Sequence, residues 1–455
     1  MCAQRVARPR PSLSPERLVP IVGALVVAAT AAWGLGATAA GHDLGTPLPP
    51  LLYRFSPEVD PTAAAAVAIL GVAVAVAPRL RGPGLTPVRF AAAALVLGLA
   101  LRLGLGVART GVEGLWAVYE VPGREGASEY LPALPALELG TRFFLDTFAQ
   151  VGTSLTVNAV GHPPGLLLTL HGLGIDGAKA MATLTIGAGA LSVPMVYVLA
   201  RRLADEGTAR SATLLYAFAP SAVLHGATSA DALYATLAVG AMIVLAGSGV
   251  TARAAGSGGS ARLTASGLAA RVGGPAALAV ASFFSWANLG VGALMAFVAL
   301  RREGVRSAAA LSVACAAGLV VFYALLYLAT GFDPFGALRA AESVYREGVA
   351  SGRPYAFWVL GAPSAFLIAA GLPIAWLGLR ALGAGQAVAL ALFAVLAISA
   401  VLGFTKAETE RIYLFLVPAL CIAAATALPE RYLRPVLAAL ACQALATELL
   451  FYTIW

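Results

Sequence analysis

Charge is the scarcest commodity in this chain. Of 455 residues only 11% are charged, against 60% that are apolar, where soluble domains carry roughly 25% charged residues. That shortage excludes a soluble domain, because so apolar a surface would aggregate in water. Lysine is nearly missing: Lys179 and Lys406 stand against a large excess of arginine. The four cysteines fall in the N-terminal tail (Cys2) or inside apolar runs (Cys315, Cys421, Cys442). That placement indicates neither a disulfide framework nor a metal centre. There is no glycine-rich phosphate loop after a strand-like run, and no Cys/His cluster at ligand spacing.

What is present is a succession of apolar runs near 20 residues long, each able to cross a hydrocarbon core of roughly 30 Å. Candidate spans are 18–40, 62–78, 88–107, 178–200, 210–226, 229–248, 274–300, 307–329, 356–379, 385–403, 411–428 and 433–453. The pattern predicts an all-α polytopic protein of about 11–13 transmembrane helices. The net charge of +8 does not suggest nucleic acid, since the arginines sit in short loops between apolar runs. There they report topology. Arg5, Arg8, Arg10 and Arg17 put the tail 1–17 in the cytoplasm, ahead of an N-terminal membrane region 18–107. Ala37-Thr38-Ala39-Ala40 resembles a signal cleavage site, but the run 18–40 is long for a signal's apolar core, so an uncleaved anchor is expected.

The positive-inside rule then places 41–61 and the long segment 108–163 outside, followed by a membrane core over 164–248. The Gly/Ser-rich stretch 249–273 holds Arg253, Arg262 and Arg271 without an acid, and reads as a flexible cytoplasmic linker. Beyond it, 274–455 forms a second membrane region with outer loops 330–355 and 404–411. Two places strain the count. The run 164–175 is too short to cross and reads as re-entrant or as part of a broken helix. The run 274–300 needs a break near Trp286-Ala287-Asn288 for both its ends to face inward.

Three polar segments therefore converge on the outer side. The first, 108–163, is net acidic, with Glu113, Glu120, Glu125, Glu129, Glu138 and Asp146 against Arg109, Arg124 and Arg142. Apolar residues from Leu134 to Phe148 recur at helical spacing, which predicts an amphipathic helix on the membrane surface. The segment ends in His162-Pro163-Pro164, where two prolines fix a turn back toward the bilayer. The second segment carries Arg339, Arg346 and Arg353 interleaved with Tyr345 and Tyr355. In the third, Lys406, Glu408, Glu410 and Arg411 crowd the entrance of an apolar run, where charges are costly unless used. Plain alternatives are a solvated acidic cap, an aromatic belt and a salt-bridged interfacial turn. Asp231, following His225 and Ser229, opens a helix and reads as a cap or as a polar site residue.

The order of these features resembles the GT-C superfamily of membrane glycosyltransferases, in particular its protein O-mannosyltransferase and aminoarabinose-transferase-like branch. Glu129-Tyr130 and His162-Pro163-Pro164 match that family's acidic-Tyr and basic-Pro-Pro steps in order and approximate spacing. Ala200-Arg201-Arg202-Leu203, Ala219-Pro220-Ser221 and Ser229-Ala230-Asp231 follow as in the family, and the likeness covers roughly 88–300. The chain departs from the family in having Ser128 where an acidic doublet would begin, and two helices ahead of the usual first one. Glu113, Glu120 and Glu129 therefore all remain open as the catalytic acid.

The resemblance implies transfer of a monosaccharide from a polyprenyl-phosphate donor to a cell-envelope glycan, lipid or protein, on the outer face of a membrane. The carboxylate would act as general base. His162, Lys406 and Arg411, assisted by Arg346 or Arg353, would meet the donor phosphate. Tyr345, Asp231, Glu408 and Glu410 are further polar candidates. Metal-free chemistry is expected, with Glu408 and Glu410 as the acidic pair that a divalent cation would use. High Ala, Gly and Arg with scarce Lys suggests a GC-rich bacterium, and the expected location is its cytoplasmic membrane with the active site facing outward. A multi-pass transporter or lipid flippase is the alternative, and it would show inverted repeats and charges in mid-membrane.

Overall fold

In the computed structural model the described residues are 14–123, 125–247 and 265–453. The tail arginines 5–10, Cys2 and most of the predicted linker 249–273 lie outside them. The described chain is an all-α polytopic membrane protein. Seven helices are long and apolar enough to cross a membrane, or up to nine when each of two sharply bent pairs is taken as one span. The higher sequence count also includes shorter apolar helices such as Val272–Ser282 and Ala387–Leu402.

Local chemistry sets many of the helix ends. α1 (Pro15–Ala39) and α2 (Ala63–Leu80) are followed by α3 (Pro87–Gly106), which starts with proline at its first position. The Thr86 side chain accepts from the Arg89 amide there, one of the amides a helix start leaves unbonded. The amphipathic helix expected between 130 and 150 is shorter than the spacing suggests. Leu131–Leu137 is a 3₁₀ turn containing Pro132 and Pro135, and Gly140 (φ 100°) separates it from α4 (Thr141–Val151). Proline removes amide donors, and the glycine takes a backbone angle other residues resist. Phe144, Leu145 and Phe148 of α4 face inward, while Leu139 and Phe143 are exposed.

Short helices α5 (Val157–Gly161) and α6 (Gly165–Leu173) flank the Pro163-Pro164 step, and α6 is indeed too short to cross. α7 (Ala178–Leu203) and α8 (Glu206–Phe218) follow, the latter capped by Asp205. The chain then breaks into α9 (Pro220–Val223) and α10 (His225–Thr228) before α11 (Asp231–Gly247), with a 116° bend across the break. α12 (Ala265–Ser282) and α13 (Leu289–Glu303) are separated at Trp286–Asn288, where the sequence predicted a break.

α14 (Val305–Thr330) leads to α15 (Pro334–Ser343), then to α16 (Tyr355–Ala370) and α17 (Leu372–Gly383), which meet at Gly371 (φ 116°) in the second 116° bend. α18 (Ala387–Leu402), the single turn α19 (Thr409–Ile412), α20 (Val417–Ala427) and α21 (Leu433–Leu450) complete the chain. α20 is almost wholly enclosed, packed on α8 and α17, whereas α1 and α14 leave most of their surface to the bilayer. A two-residue ribbon pairs Arg54–Phe55 antiparallel with Phe451–Tyr452 and ties the segment after α1 to the C-terminal end.

One charge lies deep among these helices. Arg102 of α3 is fully buried. It donates to the Gly226 carbonyl at 3.1 Å and to the Gly98 carbonyl at 3.1 Å. A side chain at Gly189 would overlap the same Gly226 oxygen. Small residues therefore make room for the guanidinium, which clamps the broken stretch just before Asp231.

Candidate functional site

The polar segments 108–163, 330–355 and 404–411 do meet, and where they meet lies a chain of charges with little solvent contact. Arg411 is its hub. Its guanidinium bonds Asp231 at 2.9 Å and Glu408 at 3.0 Å. Glu408 binds a second arginine through its other oxygen, Arg353 at 3.0 Å. Three of these side chains are about 5% exposed, and Glu408 is 13% exposed. Charges this deep are tolerable only when paired, because desolvation is costly. Burial pushes the Glu408 carboxyl up, yet the adjacent Arg411 and Arg353 outweigh it and hold it below the ordinary carboxylate range. Asp231 is oriented by the Ser229 hydroxyl, which donates to it at 2.8 Å.

The turn that presents these groups is itself unusual. Ala407 and Glu408 both have positive φ, 64° and 60°, a conformation that residues with a side chain seldom adopt. Cross-links from the second segment hold it. The Lys406 carbonyl accepts from Arg353 Nη1 at 2.8 Å and from the Tyr345 hydroxyl at 3.1 Å. Thr409 anchors the other side by donating to the Ala362 carbonyl at 2.7 Å. The Lys406 ammonium forms no ion pair among the described residues. The Arg353 Nε–H is buried without an acceptor. Among the described residues the Lys406 ammonium and this one N–H of the otherwise paired Arg353 are therefore uncommitted.

Glu129 reaches the cluster from the first segment. It is buried, 2% exposed, and accepts from the Asn158 side chain at 2.8 Å. Beside it runs a hydroxyl–imidazole chain: Tyr234 donates to Tyr130 at 2.8 Å, and the Tyr130 hydroxyl lies 3.0 Å from His162 Nδ1. The Asn158 carbonyl is 3.0 Å from the same nitrogen. Burial lowers the His162 pKa below the ordinary imidazole value, so the ring is biased toward neutrality. Burial, then the nearby Glu129 charge, raise Tyr130 well above the usual phenol value. Glu129, Asp231 and Arg411 all act electrostatically on Tyr130 and on Tyr119, which places the first and third segments and the start of α11 in one field.

Not every candidate is brought in. Glu113 and Glu120 are exposed, and no ion pair joins either to the charge chain among the described residues. Arg346 is exposed and pairs with Glu342 one helical turn away, at 2.7 Å. Such a surface pair is worth little. Glu410 accepts from the Leu52 amide at 2.5 Å and takes no part in the arginine pairing that holds Glu408. Among the described residues no group of three or more His, Cys, Asp or Glu side chains is placed to hold a metal ion.

The sequence reading missed the segment 41–61. It supplies that Leu52 amide, the Tyr53 hydroxyl 3.0 Å from His225 Nε2, and Gly45, whose lack of a side chain admits Arg353. Leu51-Leu52-Tyr53, apolar and aromatic in a segment assigned to water, was the available signal.

The fold is similar to the crystal structure of the Archaeoglobus fulgidus oligosaccharyltransferase in complex with Zn and sulfate. The TM-score is 0.46 and the identity 16%, over 78% of this chain and 53% of that one. This chain thus spans about half the length of that protein, and no residue role passes across so distant a likeness. No protein-family model and no curated protein matches the chain.

Proposed function

We propose that this protein is a membrane glycosyltransferase of the GT-C type, moving a monosaccharide from a polyprenyl-phosphate donor to a cell-envelope acceptor at the outer face of a bacterial cytoplasmic membrane. The observation that carries the proposal is a buried acid from 108–163, Glu129, in one electrostatic field with Arg411 of the turn 404–411, which also carries Lys406. Glycosyl transfer from a lipid phosphate needs that combination of groups. An acceptor hydroxyl must lose its proton as its oxygen bonds the anomeric carbon, and the bond from that carbon to the phosphate oxygen must break with the electron pair leaving on phosphate.

In this reading Glu129 takes the proton. The Arg353 Nε–H and the Lys406 ammonium meet the departing phosphate, where charge grows. Arg411 is a positioning residue: it holds Asp231 and Glu408, and through Glu408 it holds Arg353. His162 supports the Tyr130–Tyr234 chain that orders the loop around Glu129. The support comes from the geometry of these groups and from the motif order of the sequence.

The test is donor binding and turnover by purified protein in nanodiscs, using a panel of polyprenyl-phosphate monosaccharides. One donor should bind and release polyprenyl phosphate, and Lys406→Ala should weaken its binding about tenfold or more, as expected for loss of one charge-assisted contact. Donor affinity unchanged by both Lys406→Ala and Arg353→Gln refutes the phosphate site.

A further inference from the structure

A second polar feature lies apart from the charge chain. A cavity of about 220 Å³ opens between the turns at 106–118, the stretch 223–228 and the C-terminal residues 448–453. Its polar wall is made by Glu58, Glu125, Glu448, Arg109, Thr228 and Tyr452, and the rest is largely small or apolar. Drug-sized ligands occupy roughly 300–1,000 Å³, so this space suits one smaller unit.

Its chemistry excludes an anion. Three carboxylates face one guanidinium, and that guanidinium is spent. Arg109 donates to the carbonyls of Glu448 at 3.2 Å, Phe451 at 3.1 Å and Ser56 at 2.6 Å. It also pairs with Glu58 at 3.3 Å. Among the described residues that line the cavity, no cation is left over for a phosphate.

A metal ion fits no better. The carboxylates stand around the wall without converging as ligands. Separated carboxylates, a threonine hydroxyl and an aromatic plate match a neutral ring bearing several hydroxyls. Carboxylates accept from hydroxyl groups at several points, while an aromatic ring presents an apolar face with a polar edge. Tyr452 is held as such a plate, with Arg54 at 5.2 Å and Arg109 at 5.9 Å from its ring centre. Glu448 lines the cavity, its main-chain carbonyl bonded by Arg109 and its side chain in the field of the same guanidinium.

One stretch of backbone nevertheless links the cavity to the charge chain. Ala227 and Thr228 line it, and Ser229 and Asp231 follow directly. The Ala227 carbonyl accepts from Thr185 at 2.9 Å. Thr185 in turn accepts from Tyr119 at 3.2 Å, whose hydroxyl lies in the field of Glu129, Asp231 and Arg411.

We propose that this cavity binds one uncharged saccharide unit, the hydroxyl-bearing acceptor, separately from the donor phosphate. The word acceptor rests on the transfer reading above; the binding itself does not. Saturation-transfer NMR on the full-length protein in nanodiscs, without any donor, tests it with methyl glycosides of glucose, mannose, galactose and arabinose. Inorganic phosphate and glucose 1-phosphate serve as counter-probes.

At least one neutral glycoside should bind, neither phosphate should compete with it, and both Glu448→Gln and Ala117→Phe should weaken it at least tenfold. Ala117→Phe fills the cavity without touching a polar group, so it keeps the test sound if Glu448→Gln disturbs folding. Failure of every neutral glycoside, or displacement of a bound one by phosphate, overturns the proposal. Glycoside binding sensitive to both variants, in a protein that turns over no polyprenyl donor, upholds the cavity and removes only the transfer reading.

Discussion

Replacing Asp231 by asparagine keeps the shape of the side chain and removes one charge from a balanced buried set. Asp231 and Glu408 stand against Arg411 and Arg353, so Asp231→Asn leaves one positive charge uncompensated. Arg411→Gln leaves one negative charge instead. The double variant returns to balance, with Glu408 and Arg353 still paired at 3.0 Å. At 2.9 Å and an effective dielectric near 20, the gross attraction of the Asp231–Arg411 pair is about 6 kcal/mol. Desolvation offsets part of this, and removal of one partner from a buried pair typically costs about 3–5 kcal/mol.

Each single variant should therefore lose about 3–5 kcal/mol, and the double variant should lose at least about 2 kcal/mol less than the sum. The assay is a reversible denaturant titration in bicelles followed by tryptophan fluorescence, run as a double-mutant cycle. If the losses add to within about 0.5 kcal/mol, the two side chains do not interact, and Arg411 is not the hub described above.

Glu129→Gln should lower turnover about 10²–10⁴-fold while leaving donor-lipid affinity nearly unchanged, the mark of a lost general base; steady-state kinetics and donor binding on one preparation check this. Acidification should cost stability through His162. Its pKa is lowered by burial, so the unfolded chain binds more protons between the two pKa values, and stability falls as pH drops below the unfolded value of about 6.5. Melts across pH 5 to 7.5 should lose part of that slope in His162→Gln. Cysteines placed at the exposed positions Phe404, Phe335 and Arg339 should react from outside the cell, and reaction only from the cytoplasm overturns the proposed orientation. Gly189→Ala should destabilise by well over 1 kcal/mol in a thermal melt, since its methyl group would overlap the Gly226 carbonyl.

Much of this arrangement is legible in the sequence where chemistry is local. Pro163-Pro164 marks the step to a helix too short to cross, and Trp286-Ala287-Asn288 marks a break, because backbone geometry there is set by adjacent residues. The charges of 404–411 stand out as costly in an apolar setting, and the structure pairs Glu408 and Arg411 at 3.0 Å. Partners distant in the chain are another matter. The pairing of Asp231 with Arg411 spans 180 residues, and nothing near Asp231 distinguishes it from an ordinary helix cap. Arg346 and Arg353 look equivalent in one loop, yet Arg346 is exposed and Arg353 is buried. Helical spacing from Leu134 to Phe148 overstated the loop helix, since periodicity says nothing of Gly140, where the backbone turns out of the helix.

Arg102 carries a consequence for how the chain is made. Its helix is complete at Gly106, but the carbonyl its Nε needs belongs to Gly226, 124 residues later. Until that stretch is synthesised, α3 enters the bilayer with a cation that has only the Gly98 carbonyl of its own helix to bond. α3 therefore waits, unfinished, for α7 and the broken segment ahead of Asp231, and the three become one unit of biogenesis. The charge chain is in place only once that unit and the turn before α20 have come together. A chain cut short between 203 and 226 would expose its unpaired arginine to lipid, the kind of defect by which membrane quality control can tell an incomplete copy from a finished one.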